Sequence, residues 1–249
     1  MSAAGDSGVT AAVSNGAVSG CRTVAIHQPN YLPWLGYFRK IARSDVFVFF
    51  DNVQMPIGKS LVTRNKIRTA KGAQWLTVPT RRSSDGKPIA ETSIVEGGWS
   101  RKHLKALEIN YSGSPWLTPT LDIMQRAFDA RPETIADLNV TLILEFARLI
   151  ELPETRFMRA TEMALVNSGA ETIVEILEQT GATKYLTGSG SGSMRHLDVD
   201  DLSARGIETE FLSTQFAAYP QRFEPFEANL SFIDALLNIG PEATARLLA

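Results

Sequence analysis

The chain has 249 residues, 44% of them hydrophobic, and its 25 basic side chains nearly balance its 27 acidic ones. This apolar content suffices for one large core or two small ones, and the balanced charge gives no reason to expect a nucleic-acid or membrane partner. The single cysteine, Cys21, excludes an intramolecular disulfide, and no apolar run reaches the roughly 20 residues of a membrane span, so the sequence predicts a cytoplasmic protein.

The first 20 residues, MSAAGDSGVTAAVSNGAVSG, are small and polar. They lack the basic start and the apolar run of a signal peptide, and they cannot bury enough surface to offset the entropy lost on ordering. We therefore predict a disordered N-terminal tail over 1–20. We predict a single α/β domain over 21–249, with a helical insertion around 99–180.

A strand, helix, strand unit follows the tail. Residues 23–26 form a short apolar strand, residues 35–42 repeat apolar side chains at helical spacing, and residues 46–50 are a continuous apolar strand. In such units the strands are parallel and ligands sit at their carboxyl ends. His27 and Asp51 both fall at carboxyl ends, so we expect them to face the same crevice.

A basic segment precedes the next predicted strand, which covers 75–79. It carries Lys59, Arg64, Lys66 and Arg68, with Asn65 among them. Such a cluster is either a solvated face or an anion-binding surface, and the sequence favours neither. The turn SSDGKP then predicts a hairpin whose return strand covers 91–95.

Helical periodicity dominates the middle of the chain. Apolar residues three and four apart predict helices over 99–111, 117–130, 132–149 and 170–180. A strand at 184–187 leads into the glycine-rich string GSGSGSMRH (188–196), and a helix (198–204), a strand (207–212) and a last helix (230–238, ended by Gly240 and Pro241) follow. This alternation predicts an α/β fold with a mostly parallel sheet flanked by helices and a helical middle section.

The residues of a metal centre do not come together in the sequence. The three histidines, His27, His103 and His196, are far apart, and the one cysteine cannot complete a zinc set. We therefore predict no metal site, with Asp51 as a hard-cation ligand kept as the alternative. The glycine-rich string is either a phosphate-cradling loop or a flexible one, and Arg195 favours the anion. No cofactor can be named from these residues.

The residues that follow the first strand are typical of a small-molecule site. They supply amides and aromatic rings: Gln28, Asn30, Tyr31, Trp34 and Tyr37. With an ordinary pKa of about 6.5, His27 could act as a general base or acid, although a histidine in this position can also be purely structural. Asp51 would orient the imidazole or bind a hydroxyl or ammonium group. His103 shares a helix face with Trp99 and Leu107, the pattern of a half-buried structural histidine.

Blocks of sequence spread over nearly everything after the tail carry a family resemblance. They are HQPNYLPWLGYFRKI (27–41), DVFVFFDNVQ (45–54), RNKI (64–67), WLTVP (75–79), WSRKHLKALEINY (99–111), YLTG (185–188) and YPQRFEPFEANLSFIDALLNIGPEA (219–243). With them the chain resembles the WbqC-like family, bacterial proteins found among genes for surface polysaccharides and in natural-product pathways. The resemblance implies that biosynthetic setting.

The family pattern can be carried over residue by residue. It marks His27, Gln28, Pro29, Tyr31, Pro33, Trp34, Gly36, Tyr37, Lys40, Asp51, Gln54, Arg64, Asn65, His103, Tyr111, Tyr185 and Gly188. Because the pattern includes His103, the resemblance implies a catalytic role for this residue. The glycine-rich string departs from the pattern, since His196 stands about where the family has a tyrosine.

A second and looser likeness concerns PWLGY (33–37), which follows a strand and begins a helix. Its spacing resembles the HxGH signature of nucleotidyltransferases and pantoate-ligase-like enzymes, with Trp34 and Tyr37 in the histidine positions. Neither side chain can carry the positive charge that stabilises a phosphoryl transition state. The likeness implies an α/β sheet of the HUP or nucleotidyltransferase type rather than that chemistry.

These observations predict a biosynthetic enzyme of surface-polysaccharide or natural-product tailoring, which transfers an acyl or aminoacyl group to an amino group of a nucleotide sugar or related metabolite. The alternatives are ATP- or CTP-dependent adenylation or nucleotidyl transfer, and a non-catalytic ligand-binding or assembly protein. The predicted catalytic residues are His27, Asp51 and His103. The predicted substrate-binding residues are Gln28, Asn30, Tyr31, Trp34, Tyr37, Lys40, Gln54, Arg64, Asn65, Lys66, Tyr185, Ser189 and Arg195. The expected partner is a small molecule, either a nucleotide-linked sugar or an acyl donor.

Overall fold

The computed structural model describes residues 21–81, 86–188 and 198–249. Its strands are β1 (Thr23–His27), β2 (Val46–Phe49), β3 (Arg64–Thr69), β4 (Gly72–Thr77), β5 (Arg156–Arg159), β6 (Lys184–Gly188) and β7 (Glu208–Leu212). Its α-helices are α1 (Leu35–Ala42), α2 (Trp99–Asn110), α3 (Leu117–Asp129), α4 (Ile135–Leu149), α5 (Ala170–Gln179), α6 (Val199–Ala204) and α7 (Phe232–Leu248). None of the helices in these ranges is long and apolar enough to cross a membrane.

Five parallel strands form the central sheet of the described chain, in the order β5-β2-β1-β6-β7. Helices cover both of its faces, because the central strands are apolar on both sides. Ala25 and Phe47 face a core that α1, α4 and α7 close. Val24 and Val48 face a second core that α5 and α6 close. The predicted α/β fold with a mostly parallel sheet flanked by helices is confirmed.

The order of the strands contains a reversal. In chain order, β1, β2 and β5 follow one another toward one edge of the sheet. The chain then returns to the other side of β1, where β6 and β7 are added. Loops that leave neighbouring strands in opposite directions open a crevice at their carboxyl ends, and open α/β sheets bind ligands at such a switch point. Here the switch point lies between His27 at the end of β1 and Gly188 at the end of β6.

The β3–β4 hairpin differs from the predicted one. The strand predicted at 75–79 lies largely in β4, but its partner is β3 rather than 91–95. Gly72, with φ +102°, allows the tight turn between β3 and β4 that the sequence did not reveal. Residues 91–95 instead contribute two isolated bridges, between Ile94 and Thr80 and between Ser93 and Thr134.

Two further elements were missed or shortened in the prediction. β5 has the sequence RFMR, with only two apolar residues, and its place in the sheet depends on Phe157, which stacks on Phe49 at 5.8 Å. The last helix continues past its predicted end. Gly240 is non-helical, with φ +80°, but Pro241 then begins a new helical turn and the chain stays helical to Leu248.

The loop of residues 28–34, here called the β1–α1 loop, is held by side-chain amides from distant segments. Asn139 of α4 is fully buried, and its Nδ2 donates to the carbonyl oxygens of Pro29 (2.9 Å) and Val62 (2.8 Å). Asn65 of β3 donates from Nδ2 to Leu32 O at 2.7 Å. These bonds fix Leu32 at φ +42°, a left-handed conformation that is costly for leucine.

Candidate functional site

His27 ends β1 and points to the α1 side of the sheet. Its ring meets Trp34 edge-on at a centroid distance of 5.6 Å and Tyr37 at 4.8 Å. Its Nδ1 lies 2.9 Å from the carbonyl oxygen of Gln28. A carbonyl oxygen only accepts hydrogen bonds, so Nδ1 carries the hydrogen and Nε2 is the nitrogen with the free lone pair. The loop therefore orients this imidazole with Nε2 as an acceptor.

The imidazole is neutral at physiological pH. Burial, and then the charge of Lys40, lower the pKa of His27 to about 3, although the bond to the Gln28 carbonyl opposes them. We expected an ordinary pKa and hence either a base or an acid. With the pKa this low the ring carries only its Nδ1 hydrogen at pH 7, and the Gln28 carbonyl binds it, so Nε2 is left to accept a hydrogen bond or a proton.

Lys40 lies on α1 and is 5% exposed. It forms no hydrogen bond or ion pair with any residue that the structure describes. Burial lowers its pKa to about 8, and no carboxylate opposes this shift. The site thus combines a neutral histidine and a buried ammonium group within electrostatic reach of each other.

Trp34 connects His27 with a cleft of about 390 Å³. The cleft is lined by Trp34, Leu35, Thr214, Gln215, Phe216, Tyr219, Phe226, Ala228, Asn229 and Leu230. These described lining residues offer aromatic rings, amides and a hydroxyl, but no charged side chain. A Cβ at Gly36 would lie 2.8 Å from Trp34 Nε1, so the glycine leaves room for the indole in this position.

His103 occupies a different, buried position on α2. Its Nδ1 lies 2.9 Å from the Tyr31 hydroxyl, and its ring packs edge-on against Trp99 at 5.4 Å. Burial lowers the pKa of His103 to about 4, although the Thr77 backbone opposes this shift. Through Tyr31 the residue supports the β1–α1 loop.

Asp51 follows β2 and is fully buried. It accepts hydrogen bonds from Arg159 Nε at 2.6 Å and from the Thr161 backbone N–H and hydroxyl, both at 3.0 Å. Arg159 also pairs with the half-exposed Asp137 at 2.7 Å. We expected Asp51 to share a crevice with His27, but the structure places it in this network at the β2–β5 edge, without a contact to the imidazole.

The remaining predicted residues near His27 form the frame of the loop. The hydroxyl of Tyr37 donates a hydrogen bond to the Gln28 carbonyl oxygen at 3.1 Å. The same oxygen also accepts from His27 Nδ1. Asn30, a residue of the loop, is buried. Tyr31 is fully buried, and its backbone N–H donates to Leu61 O at 3.0 Å. The β1–α1 loop and α1 thus carry Gln28, Asn30, Tyr31, Trp34, Tyr37 and Lys40, with Lys40 in the last turn of the helix.

The basic cluster does not form one surface. The Arg64 guanidinium stacks on Trp75 at 3.9 Å, with Lys66 Nζ at 5.8 Å from the same ring. Arg68 is buried and pairs with Glu227 at 3.5 Å, which removes it from any solvated face. Two partly exposed cations beside an exposed tryptophan therefore remain of the predicted anion surface on the hairpin, and Lys59 is exposed in the loop before it.

Other predicted residues lie apart from His27. Tyr185 belongs to the core on the opposite face of the sheet, and Gln54 is exposed beside a bridge to Pro88. Ser189 and Arg195, with His196, lie outside the described residues. Among the residues that are described, no group of three or more His, Cys, Asp or Glu side chains could hold a metal ion.

Several residues of this region were missed from the sequence. Phe216 and Asn229 line the cleft, and Arg159 and Thr161 hold Asp51. The aromatic residues of the YPQRFEPF stretch were a usable signal for the cleft. Asn139, a polar residue on the apolar face of α4, was the signal for a buried amide that must find partners.

The low pKa values of the two histidines predict acid sensitivity. In the folded protein the pKa values of His27 and His103 are about 3 and about 4, below the 6.5 of the unfolded chain. Unfolding therefore takes up protons, and stability that is full above pH 6.5 is lost as the pH falls toward the folded values. Near pH 5 we expect a slope of up to about 1.4 kcal/mol per pH unit for each histidine. Urea denaturation between pH 7 and 5 measures how the free energy of unfolding depends on pH. A His27→Gln, His103→Gln double variant should show a smaller slope than the wild type. Equal slopes in the two proteins would contradict the assignment of neutral histidines.

Comparisons with known proteins cover almost the whole described chain. The model of the WbqC-like protein family matches residues 28–246. Uncharacterized protein Rv1507c of Mycobacterium tuberculosis is 32% identical over 225 residues, which span 89% of this chain and 96% of the relative. No solved structure shows a significant match.

Proposed function

The chain belongs to the WbqC-like protein family, and from this premise we propose that it is a biosynthetic enzyme of surface-polysaccharide or natural-product tailoring. It transfers an acyl or aminoacyl group to an amino group of a nucleotide-linked sugar or a related metabolite. The observation that carries the proposal is the position of His27, whose Nε2 lone pair is oriented at the carboxyl end of β1, beside the switch point and the cleft.

The chemistry asked of His27 uses the free lone pair on Nε2 of its neutral ring. The amine of the acceptor attacks the acyl carbonyl, the new C–N bond forms, and the bond to the donor's leaving group breaks. The amine nitrogen becomes strongly acidic only after the new bond has formed, so its proton then passes to Nε2 and onward to the departing group. An imidazole that stays neutral at pH 7 is always ready to accept this proton.

The cleft beside Trp34 supports an acceptor with an uncharged ring. Its volume of about 390 Å³ falls in the range of small-molecule sites. Aromatic rings, such as those of Trp34 and Phe216, offer flat faces for the C–H side of a sugar ring, and the amides of Gln215 and Asn229 offer donors and acceptors for its hydroxyls. Trp34 lines this cleft and also contacts the His27 ring.

A second candidate is adenylation or nucleotidyl transfer. The strand order β5-β2-β1-β6-β7, with its switch point beside β1, favours nucleotide binding at this edge of the sheet. This candidate predicts magnesium-dependent binding of ATP or CTP and release of pyrophosphate. Trp34 and Tyr37 stand in its histidine positions and cannot supply positive charge.

A product screen tests the proposal. Purified protein is incubated with UDP- and dTDP-linked amino sugars and with acyl coenzyme A donors, and mass spectrometry is used to search for acceptors that have gained an acyl group. A parallel set contains ATP or CTP with magnesium and measures pyrophosphate. Acylated sugar supports the transfer; pyrophosphate without acylation replaces it with the second candidate. Ligand binding without any product identifies a non-catalytic ligand-binding protein.

A further inference from the structure

Lys40 is an unusual feature of the core. A lysine side chain is almost never this buried unless its charge is paired, because removing an ammonium group from water costs several kcal/mol. Lys40 is 95% buried by its 5% exposure, yet no hydrogen bond or ion pair reaches it from the described residues. A buried charge that is kept despite its cost in free energy is typical of a ligand-binding site.

The geometry of α1 directs this ammonium group toward the switch point. α1 begins at the carboxyl edge of the sheet, directly after the β1–α1 loop, and long helical side chains lean toward the start of their helix. Lys40 is therefore aimed back at the edge where His27 ends β1. The charge of Lys40 lowers the pKa of His27, so the two groups lie within electrostatic reach of each other.

The face of α1 that carries Lys40 turns toward β6 and β7. Gly36 lies four residues earlier and so occupies the same face. A Cβ at Gly36 would lie 3.7 Å from Phe216, which follows β7. The switch point between β1 and β6 is on this side of β1, so the face of α1 that carries Lys40 borders the switch point.

We propose that Lys40 binds a phosphoryl group of the ligand at the switch point between β1 and β6. The inference rests on the proposed function, because a nucleotide-linked sugar or an acyl carrier would bring that phosphoryl group. The ammonium group acts as a point charge for a phosphate oxygen. The rival location is the hairpin, where Lys66 and Arg64 lie partly exposed beside Trp75.

Pyrophosphate is the probe that separates these locations. Isothermal titration calorimetry compares the full-length wild type with Lys40→Met, Lys66→Met and Lys105→Met. Methionine keeps the volume of the side chain but removes its charge. Lys105 is the matched control, since it is 66% exposed on α2 and pairs only with Glu108. We expect Lys40→Met to weaken pyrophosphate binding at least tenfold and Lys105→Met to change it less than twofold.

Thermal unfolding supplies the readout that a structural role would not produce. Without its buried charge the Lys40→Met protein should melt roughly 2–5 °C higher than the wild type. A lower Tm with unchanged pyrophosphate affinity would make Lys40 a structural residue and overturn the inference. Loss of binding in Lys66→Met but not in Lys40→Met would overturn it as well, as would absence of pyrophosphate binding by the wild type.

The source of the phosphoryl group follows from two further titrations. UDP and coenzyme A are titrated into the wild type and Lys40→Met, and the ligand whose affinity falls is the one that Lys40 holds. The product screen keeps the two proposals distinguishable. If acylated sugar forms although neither ligand depends on Lys40, the proposed function stands and the phosphoryl site is wrong. If phosphoryl ligands depend on Lys40 but no product forms, the site stands and the transfer is wrong.

Discussion

Replacing His27 by glutamine should lower kcat/KM of the acyl transfer by about 10²–10⁴-fold, the range for loss of a positioned proton acceptor. Glutamine can fill the space beside Trp34 and Tyr37 and can form hydrogen bonds, but it cannot take the proton that leaves the attacking amine. Affinity for the acceptor should change only a few-fold, because the cleft that would hold the sugar ring remains. Steady-state kinetics with the acceptor identified in the product screen, together with calorimetry, separates the two effects.

The matched comparison is His103→Gln. This histidine is also neutral and is more deeply buried, but its Nδ1 is engaged by the Tyr31 hydroxyl. We expect this variant to lose thermal stability, since a buried hydroxyl loses its partner, and to lose less than tenfold in kcat/KM. The reverse pattern, with turnover lost in His103→Gln and retained in His27→Gln, would move the proton acceptor to α2. It would also restore the catalytic role that the family pattern implies for His103.

Replacing Asp51 by alanine should cost about 3–5 kcal/mol of the free energy of unfolding, because the carboxylate is fully buried and pairs with the largely buried Arg159. Its loss would leave Arg159 with only Asp137 and would leave the Thr161 backbone N–H and hydroxyl without their acceptor. This network ties the end of β2 to the end of β5. Urea denaturation followed by circular dichroism measures the change.

Asp137→Asn is the control for that experiment. Asp137 binds the other side of the same guanidinium at 2.7 Å, but its side chain is 42% exposed. Exposed ion pairs contribute little, so we expect a loss below about 1 kcal/mol. An equal loss of free energy of unfolding in both variants would show that burial does not explain the contribution of Asp51 to stability. An Asp51→Ala protein that kept its stability but lost turnover would instead return Asp51 to the catalytic group.

The parts of the fold set by strong local patterns could be predicted from the sequence. α1 was predicted with its observed bounds, and the two central strands within one residue, because continuous apolar runs and helical spacing are strong signals. β5 could not be predicted, since the apolar residues of RFMR are too few, and its pairing with β2 is decided by tertiary packing. The β3–β4 hairpin was misassigned because SSDGKP is a stronger turn signal than the turn actually used.

The candidate site could be predicted only in its local part. The cluster Gln28, Trp34 and Tyr37 around His27 is contiguous in the sequence, and the structure keeps it together. Two properties depended on distant residues and could not be seen. Burial decides the charge state of His27, and the Arg159 ion pair decides the place of Asp51. Neither property can be recognised from the sequence next to His27 or Asp51.

The hydrogen bonds of the β1–α1 loop have a consequence for how this protein unfolds. Leu61, Asn139 and Phe232 belong to three separate segments, and each bonds to the loop: Tyr31 N–H to Leu61 O, Asn139 to Pro29 O, and Phe232 N–H to Pro33 O. The loop cannot open while these segments remain packed. We therefore expect its amides to exchange with solvent deuterium at the rate of the most protected core strands, unlike those of an ordinary surface loop. The residues around His27 would then fold and unfold in one cooperative step with the whole domain. The backbone strain at Leu32 would be relieved only when the domain unfolds.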